Sequence, residues 1–190
     1  ATPSPAPSPD ASPSPSPSPE PTPAPEPTAR LGFPTTDLGR THAVDPTRTL
    51  QYGFCPPTSG DHLSIQGEAP LAPAVYPAGS ERSPGGWVHN LEHGYVVLLY
   101  TCPGGAVGGE GCPSAAEMAQ IQQWFDTAAA PPVSQCPKKV LAVRFDEMST
   151  RFALVSWNRA MLFNEFDLDA ALTFAQQWME HDAVPEQSAC

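Results

Sequence analysis

Val88-His89-Asn90-Leu91-Glu92-His93-Gly94-Tyr95-Val96-Val97-Leu98-Leu99-Tyr100 sets the terms of the fold. From Tyr95 to Tyr100 the run is continuously apolar, rich in β-branched and aromatic residues, and bounded by Gly94 and by Cys102-Pro103, which predicts a buried strand. Just before it, His89 and His93 are four residues apart, so one helical turn would point both imidazoles to the same side; Gly94 leaves room for about one turn. Upstream, Pro56-Pro57-Thr58-Ser59-Gly60-Asp61-His62 presents a third histidine behind a turn-forming run. Three of the five histidines therefore lie in two short, glycine-punctuated segments, and packing alone gives no reason for that. Imidazole is the commonest protein metal ligand and the side chain best suited to proton transfer near neutral pH.

Working outward toward the C-terminus, Ser114-Ala115-Ala116-Glu117 reads as a capping box. Met118, Ile121, Trp124, Phe125 and Ala128 then recur at helical spacing until Pro131-Pro132. Residues 140–145 and 152–157 read as two strands joined by a turn through 146–150. Asp167 caps a second helix, with Leu168, Leu172, Ala175 and Met179 on one face and Phe174 and Trp178 beside it. Toward the N-terminus, residues 30–51 have little periodicity and are expected to wrap the surface before an edge strand at 49–54; residues 55–87 are Pro-, Gly- and Ser-rich and should be mostly irregular. The expected fold class is α+β: a small sheet with two helices packed on it and long irregular N-terminal loops, in one domain over 29–190.

Residues 1–28 are of a different kind. They hold 12 of the 26 prolines and no large apolar side chain, and so cannot bury enough surface to offset their ordering entropy. A disordered Pro/Ser/Ala-rich spacer with polyproline-II bias is the expectation, with a reach of roughly 80–90 Å at about 3.1 Å per residue. The net charge of −11, with no Lys/Arg cluster, argues against nucleic acid and anionic membrane surfaces as partners. No run is apolar enough to span a bilayer. Ala1 is not an initiator methionine, so a leader or anchor upstream is expected.

Five cysteines without a CxxC pair fit an oxidising compartment better than a zinc ribbon or a thioredoxin motif. Cys102 and Cys112 flank a glycine-rich loop that a bridge between them would close; a Cys55–Cys136 bridge would leave Cys190 unpaired. An extracytoplasmic location, secreted or anchored to the envelope, follows as the expectation.

The candidate metal ligands are His62, His89 and His93, with His42 as a fourth; three or four imidazoles favour copper or zinc over hard cations. Glu92 makes the run His-x-x-Glu-His, the inverted zinc-peptidase motif, whose glutamate activates a metal-bound water. The expected function is transition-metal binding, copper or zinc, in envelope metal handling or redox support, with Glu92 orienting a ligand histidine. The partners expected are the metal ion and an envelope protein. Two alternatives come from other classes: a metal-dependent hydrolase with Glu92 as general base, and a metal-free interaction module. In the latter His89 and His93 brace the loops and Glu92 pairs with Arg82 or Arg40. Ser59 lacks a nucleophile elbow and is expected to serve local backbone, and His181 to complement the dipole at the end of the last helix.

Several of these residues form a longer pattern. Gly39-x-x-His42, Tyr52, Pro-Pro-Thr-Ser-Gly-x-His62, Val-His89-x-Leu-Glu92-His93-Gly-x-Val, Ser156-Trp157-Asn158 and Pro185-Glu186 together resemble the DUF3105 family of bacterial exported or membrane-anchored proteins of unknown function, over residues 38–186. The resemblance implies an extracytoplasmic domain whose signature polar positions are His42, His62, His89, Glu92 and His93. It brings no reaction with it, and Cys55 and the length between His62 and His89 depart from the pattern.

Overall fold

The computed structural model describes residues 30–190, so the proline-rich segment at 1–28 lies outside the described residues. Ten elements follow in order: β1 (Phe33–Pro34), β2 (His42–Ala43), β3 (His62–Leu63), α1 (Pro84–Glu92), β4 (Val96–Tyr100), α2 (Ala115–Thr127), β5 (Val140–Arg144), β6 (Phe152–Ser156), β7 (Arg159–Phe163) and α3 (Leu168–Trp178). The class is α+β, as expected. A five-stranded mixed sheet has the order β1-β7-β6-β4-β5, and β2 pairs with β3 in a separate two-stranded sheet.

Strand β4 sits inside the large sheet and is fully buried. Its alternate residues face different layers: Val96, Leu98 and Tyr100 meet α2 and α3, while Val97 and Leu99 meet the side that holds Trp87, Leu91 and Trp157. Both faces being covered, the strand is apolar throughout rather than alternating. Strand β5 runs parallel to β4 and β6 antiparallel to it. A parallel neighbour needs a long crossover, which α2 and its flanking loops supply.

Helix α2 starts at Ser114 with both arms of the capping box formed: Ser114 Oγ accepts from Glu117 N at 3.2 Å, and the Glu117 carboxylate accepts from Ser114 N at 2.8 Å. It buries Ile121 and Trp124. Helix α3 starts at Asp167, which accepts from Ala170 N at 3.0 Å, and buries Ala171, Phe174, Ala175 and Trp178, with Leu168 and Leu172 half-buried beside them.

Four expectations need correction. Residues 49–54 form no strand; the edge beside β5 is taken by residues 74–81, where Ala142 N donates to Ala74 O at 2.9 Å and Tyr76 N to Ala142 O at 2.8 Å. The segment 146–150 does not close a hairpin, because β4 lies between β5 and β6; the loop crosses the end of β4, where Asp146 accepts from Cys102 N at 2.6 Å. The hairpin partner of β6 is β7, joined through Trp157-Asn158, with Asn158 in the left-handed region at φ 55°, which asparagine tolerates. There are three helices rather than two, since α1 is nine residues long instead of a single turn.

The disulfides are Cys102–Cys112, closing the glycine-rich loop, and Cys136–Cys190, which ties the C-terminus to the segment before β5. Cys55 is the free thiol, so a Cys55–Cys136 bridge does not form. No helix among the described residues is long and apolar enough to cross a membrane.

Candidate metal centre

Two residues of backbone pairing bring the first two histidines together. Strands β2 and β3 are parallel with His42 opposite His62, so both side chains leave the same face. Their rings stand nearly perpendicular with centroids 4.7 Å apart. The pairing is held by His62 N donating to Thr41 O at 3.0 Å, Gly60 N to Gly39 O at 2.8 Å and Ser64 N to Ala43 O at 2.9 Å. Buried Ser59 supports the same turn by accepting from Leu38 N at 2.9 Å, a backbone role as expected but with a partner 21 residues away rather than a local one.

Helix α1 then presses against β3. Proline at the first helical position costs no hydrogen bond and presets φ. Gly85 allows the contact: a Cβ there would lie 2.6 Å from Leu50 Cδ1 and 2.8 Å from Leu63 Cγ. The helix ends at His93, and Gly94 follows at φ 84° against Glu180, where a side chain would collide.

On that helix His89 faces β3, and its Nδ1 donates to Leu63 O at 2.6 Å. A carbonyl only accepts, so Nδ1 carries the proton and Nε2 is left with its lone pair in the neutral ring. Burial pushes the titration of His89 down to about 4, helped by the neighbouring imidazoles and opposed by the Leu63 bond. His89 is therefore neutral at pH 7. His62, fully buried, repeats the arrangement with Nδ1 donating to Gly60 O at 2.8 Å.

The near nitrogens converge on Glu92. His62 Nε2 lies 3.0 Å and His42 Nε2 2.9 Å from the same oxygen, Oε2. His62 thus has an acceptor against each ring nitrogen, Gly60 O on one side and a buried carboxylate on the other. The contact between Nε2 and Oε2 needs one proton between the two atoms, or a metal ion in its place. His42 opens the group to solvent, its side chain 41 % exposed against 2 % for Glu92. The ligand atoms of His42, His62, His89 and Glu92 all lie within 4.8 Å of one another. Ligand atoms of a tetrahedral ion bound at about 2.1 Å are about 3.4 Å apart, so the side chains would draw in by about 1 Å to hold a single ion.

His93 is placed differently. Its ring meets His89 edge-on at 4.7 Å, but its Nε2 is 3.4 Å from Glu186 Oε2, and it belongs with Glu92 and Glu186 in a second group of close ligand atoms. Glu92 pairs with neither Arg82 nor Arg40, since His42 and His62 occupy it, and Arg82 lies over the Tyr76 ring instead. His181 does not act as a cation at the end of α3: burial pushes its titration down, and its Nε2 donates to Trp157 O at 3.0 Å.

Below the helix end, Lys139 and Glu180 form a fully buried ion pair at 2.7 Å, and Lys139 Nζ also donates to His93 O and Gln187 O, each at 2.6 Å. Burial by itself would raise the Glu180 carboxyl; Lys139 and the Ser134 and Val133 N–H groups outweigh it and hold the carboxyl below its usual range. Neither residue stood out in the sequence, because a Lys and a Glu 41 residues apart carry no local pattern. The same holds for the Gly60 and Leu63 carbonyls, which are independent of residue type.

A cleft of about 570 Å³ opens on the other side of Leu63, lined by Arg48, Tyr52, Phe54, Cys55 and Phe145 among others, and includes none of the clustered histidines. Cys55 donates to Glu147 O at 3.2 Å, and burial, with Glu147 beside it, pushes the thiol up, so it is protonated at neutral pH.

No curated protein and no solved structure matches the chain. A family model does match, over residues 43–190, which takes in β3, α1 and all of the large sheet except its edge strand β1. The chain belongs to the DUF3105 family, described as protein of unknown function.

Proposed function

We propose that this DUF3105 protein binds a transition metal, zinc or copper, through His42, His62 and His89, with Glu92 completing the set and His93 bordering it. The observation that carries the reading is how the far nitrogens are held: His62 Nδ1 and His89 Nδ1 each donate to a backbone carbonyl, Gly60 O and Leu63 O. Metal-ligating histidines are characteristically fixed in this way, which sets the tautomer and aims the other nitrogen. Donors of this kind suit zinc and copper rather than calcium or magnesium. The two disulfides support an extracytoplasmic setting, where a role in metal handling or in support of an envelope redox system, with an envelope protein as partner, fits the donor set.

The hydrolase reading asks more of Glu92. As a general base it would stand clear of the ligand set, yet its Oε2 lies 2.9 and 3.0 Å from two imidazole nitrogens, among the ligands. The interaction-module reading finds little surface, since Phe33, Val44, Val107 and Val133 are exposed at scattered positions and Phe33 packs on Phe54.

Elemental analysis of the purified chain, native and with His62→Asn and His89→Asn combined, tests the proposal. An asparagine amide can donate to the Gly60 and Leu63 carbonyls as Nδ1 does, but it lacks Nε2. One equivalent or more of zinc or copper in the native chain, lost from the variant, is the expected result. A native chain that retains no metal after loading overturns the reading.

A further inference from the structure

Glu92 is the one residue common to both groups of close ligand atoms: His42, His62, His89 and Glu92 on one side, and Glu92, His93 and Glu186 on the other. Its two side-chain hydrogen bonds both fall on Oε2, which leaves Oε1 without a hydrogen-bond partner among the described residues. The carboxylate therefore stands within reach of both groups.

The second group is built rather than incidental. His93 closes α1, its N–H donating to Asn90 O at 3.1 Å, and its carbonyl is fixed by Lys139 Nζ at 2.6 Å. Its side chain is only 11 % exposed, and Nδ1 is buried with no hydrogen-bond partner among the described residues. Nε2, the nitrogen beside Glu186, has only this long 3.4 Å contact, and it is the atom that would take an ion; Nδ1 stays without a partner. Glu186 is brought in by the C-terminal segment: its N–H donates to Glu92 O at 3.0 Å, so the two acidic residues are linked through the backbone. That segment is in turn anchored by the Cys136–Cys190 disulfide and by Tyr95 Oη donating to Cys190 O at 3.0 Å. The Glu186 side chain is 45 % exposed, which gives an ion a way in from solvent. Lys139 reaches this group only through the His93 carbonyl, and its charge is already paired with Glu180.

The geometry points to a second metal ion held by His93, Glu186 and Glu92, so that the protein carries a two-metal centre that shares the Glu92 carboxylate. The inference rests on the reading of the histidine cluster as a metal site. With one nitrogen and two oxygens, the second position has a harder donor set than the three-imidazole one and takes zinc or a divalent ion harder than copper. This gives the Cys136–Cys190 bridge a consequence at the site, because it fixes the segment that delivers Glu186.

The test is zinc stoichiometry of the full chain after loading and gel filtration, in a Cys55→Ser background so that the free thiol adds no ligand, with Glu186→Gln compared alongside. The glutamine keeps the backbone bond to Glu92 O and removes only the charge. The expected result is two zinc equivalents in the parent and one in the Glu186→Gln variant. A parent that stops at one equivalent overturns the second ion and leaves the histidine site standing. Two equivalents in both proteins overturn the assignment to Glu186. No zinc in either overturns the second ion together with the reading on which it rests.

Discussion

Between Val96 and Phe163 the chain is held by buried area, whereas the short strands that carry His42 and His62 are held by hydrogen bonds; α1 belongs to both, its Trp87, Val88 and Leu91 lying in the core of the sheet and its His89 bonding to Leu63 O. The sheet presents apolar side chains to both layers, from Val96, Leu98 and Phe152 on one face to Val97, Leu141 and Val155 on the other. The histidine-bearing part has a small apolar cluster of its own, Ala43, Leu63 and Ala69 with Leu50 and Ile65 at its edge. Its strands are two residues long. With so little area of their own, β2 and β3 depend on their polar pins, which end in the group of imidazoles. The sheet should therefore keep its stability whatever the site holds, while the histidine-bearing part should not.

Lys139, just before β5, ties the sheet to the end of α1 through the His93 carbonyl and to the C-terminal segment through Glu180 and Gln187 O, and cutting it has the largest expected effect. Lys139→Met removes the partner of buried Glu180 and the donor to His93 O and Gln187 O at once. Breaking a buried pair from one side costs about 3–5 kcal/mol, read as the shift in the urea midpoint. Acid behaviour should change with it. The folded Glu180 carboxyl lies below its ordinary 4.5, so its contribution to stability is complete above that pH and is lost as pH falls through the folded value. Asp146 and Glu117 shift in the same direction, the latter mainly through Arg151, so the native chain should weaken below about pH 4.5 and the variant should show a shallower slope. A midpoint shift below about 1 kcal/mol would mean that the two regions are not joined through this pair.

The same contrast explains what could be read from the sequence. The capping box at Ser114 and Glu117, the apolar run at 96–100 and the Asp167 cap are local patterns, and each element lies where its pattern put it. The placement of β4 between β5 and β6 is a matter of topology, which no window of sequence contains. Helix α1 was hidden by Pro84-Gly85-Gly86, which reads as a breaker, although Ser83-Pro84 is a good cap followed by a good first residue. At the site, the sequence pattern named His42, His62 and His89, whose ligand atoms converge, although His42 lies one residue outside the family match. It did not separate Glu92 from His93. The two lie three and four residues beyond His89, on either side of it around the helix, and only the roll of α1 on β3 turns the carboxylate toward His42 and His62. The pairing of His42 with His62 rests on two residues of each strand, too few for any periodicity.

Metal loading separates the regions by location. Ligand binding at about 100 times Kd stabilises a folded chain by about 2.7 kcal/mol. With zinc at that excess, amide exchange should slow at residues 41–43, 60–65 and 84–93. The amides of 96–100, already protected by the sheet, should change less, because their exchange follows global unfolding. Uniform slowing across both regions would show that the histidine-bearing part does not open on its own. No slowing at 60–65 in a chain that has taken up zinc would place the ion elsewhere.

The smallest expected effect compares two serine caps, one in each region. Ser114 Oγ is half of a complete capping box, and Ser114→Ala should cost about 1 kcal/mol. Ser83 Oγ accepts from Gly85 N at a long 3.3 Å, and Pro84 already fixes φ at the helix start, so Ser83→Ala should cost less than about 0.5 kcal/mol. Urea midpoints measure both, and zinc stoichiometry should be unchanged in both. The second result matters more than the first. If α1 is held in place by His89 on the Leu63 carbonyl and by Gly85 on Leu63, loosening its first turn leaves the imidazoles where they are. A Ser83→Ala protein that loses zinc while Ser114→Ala keeps it would show instead that the site depends on how α1 begins, and that the ring-nitrogen bonds follow the helix rather than fix it.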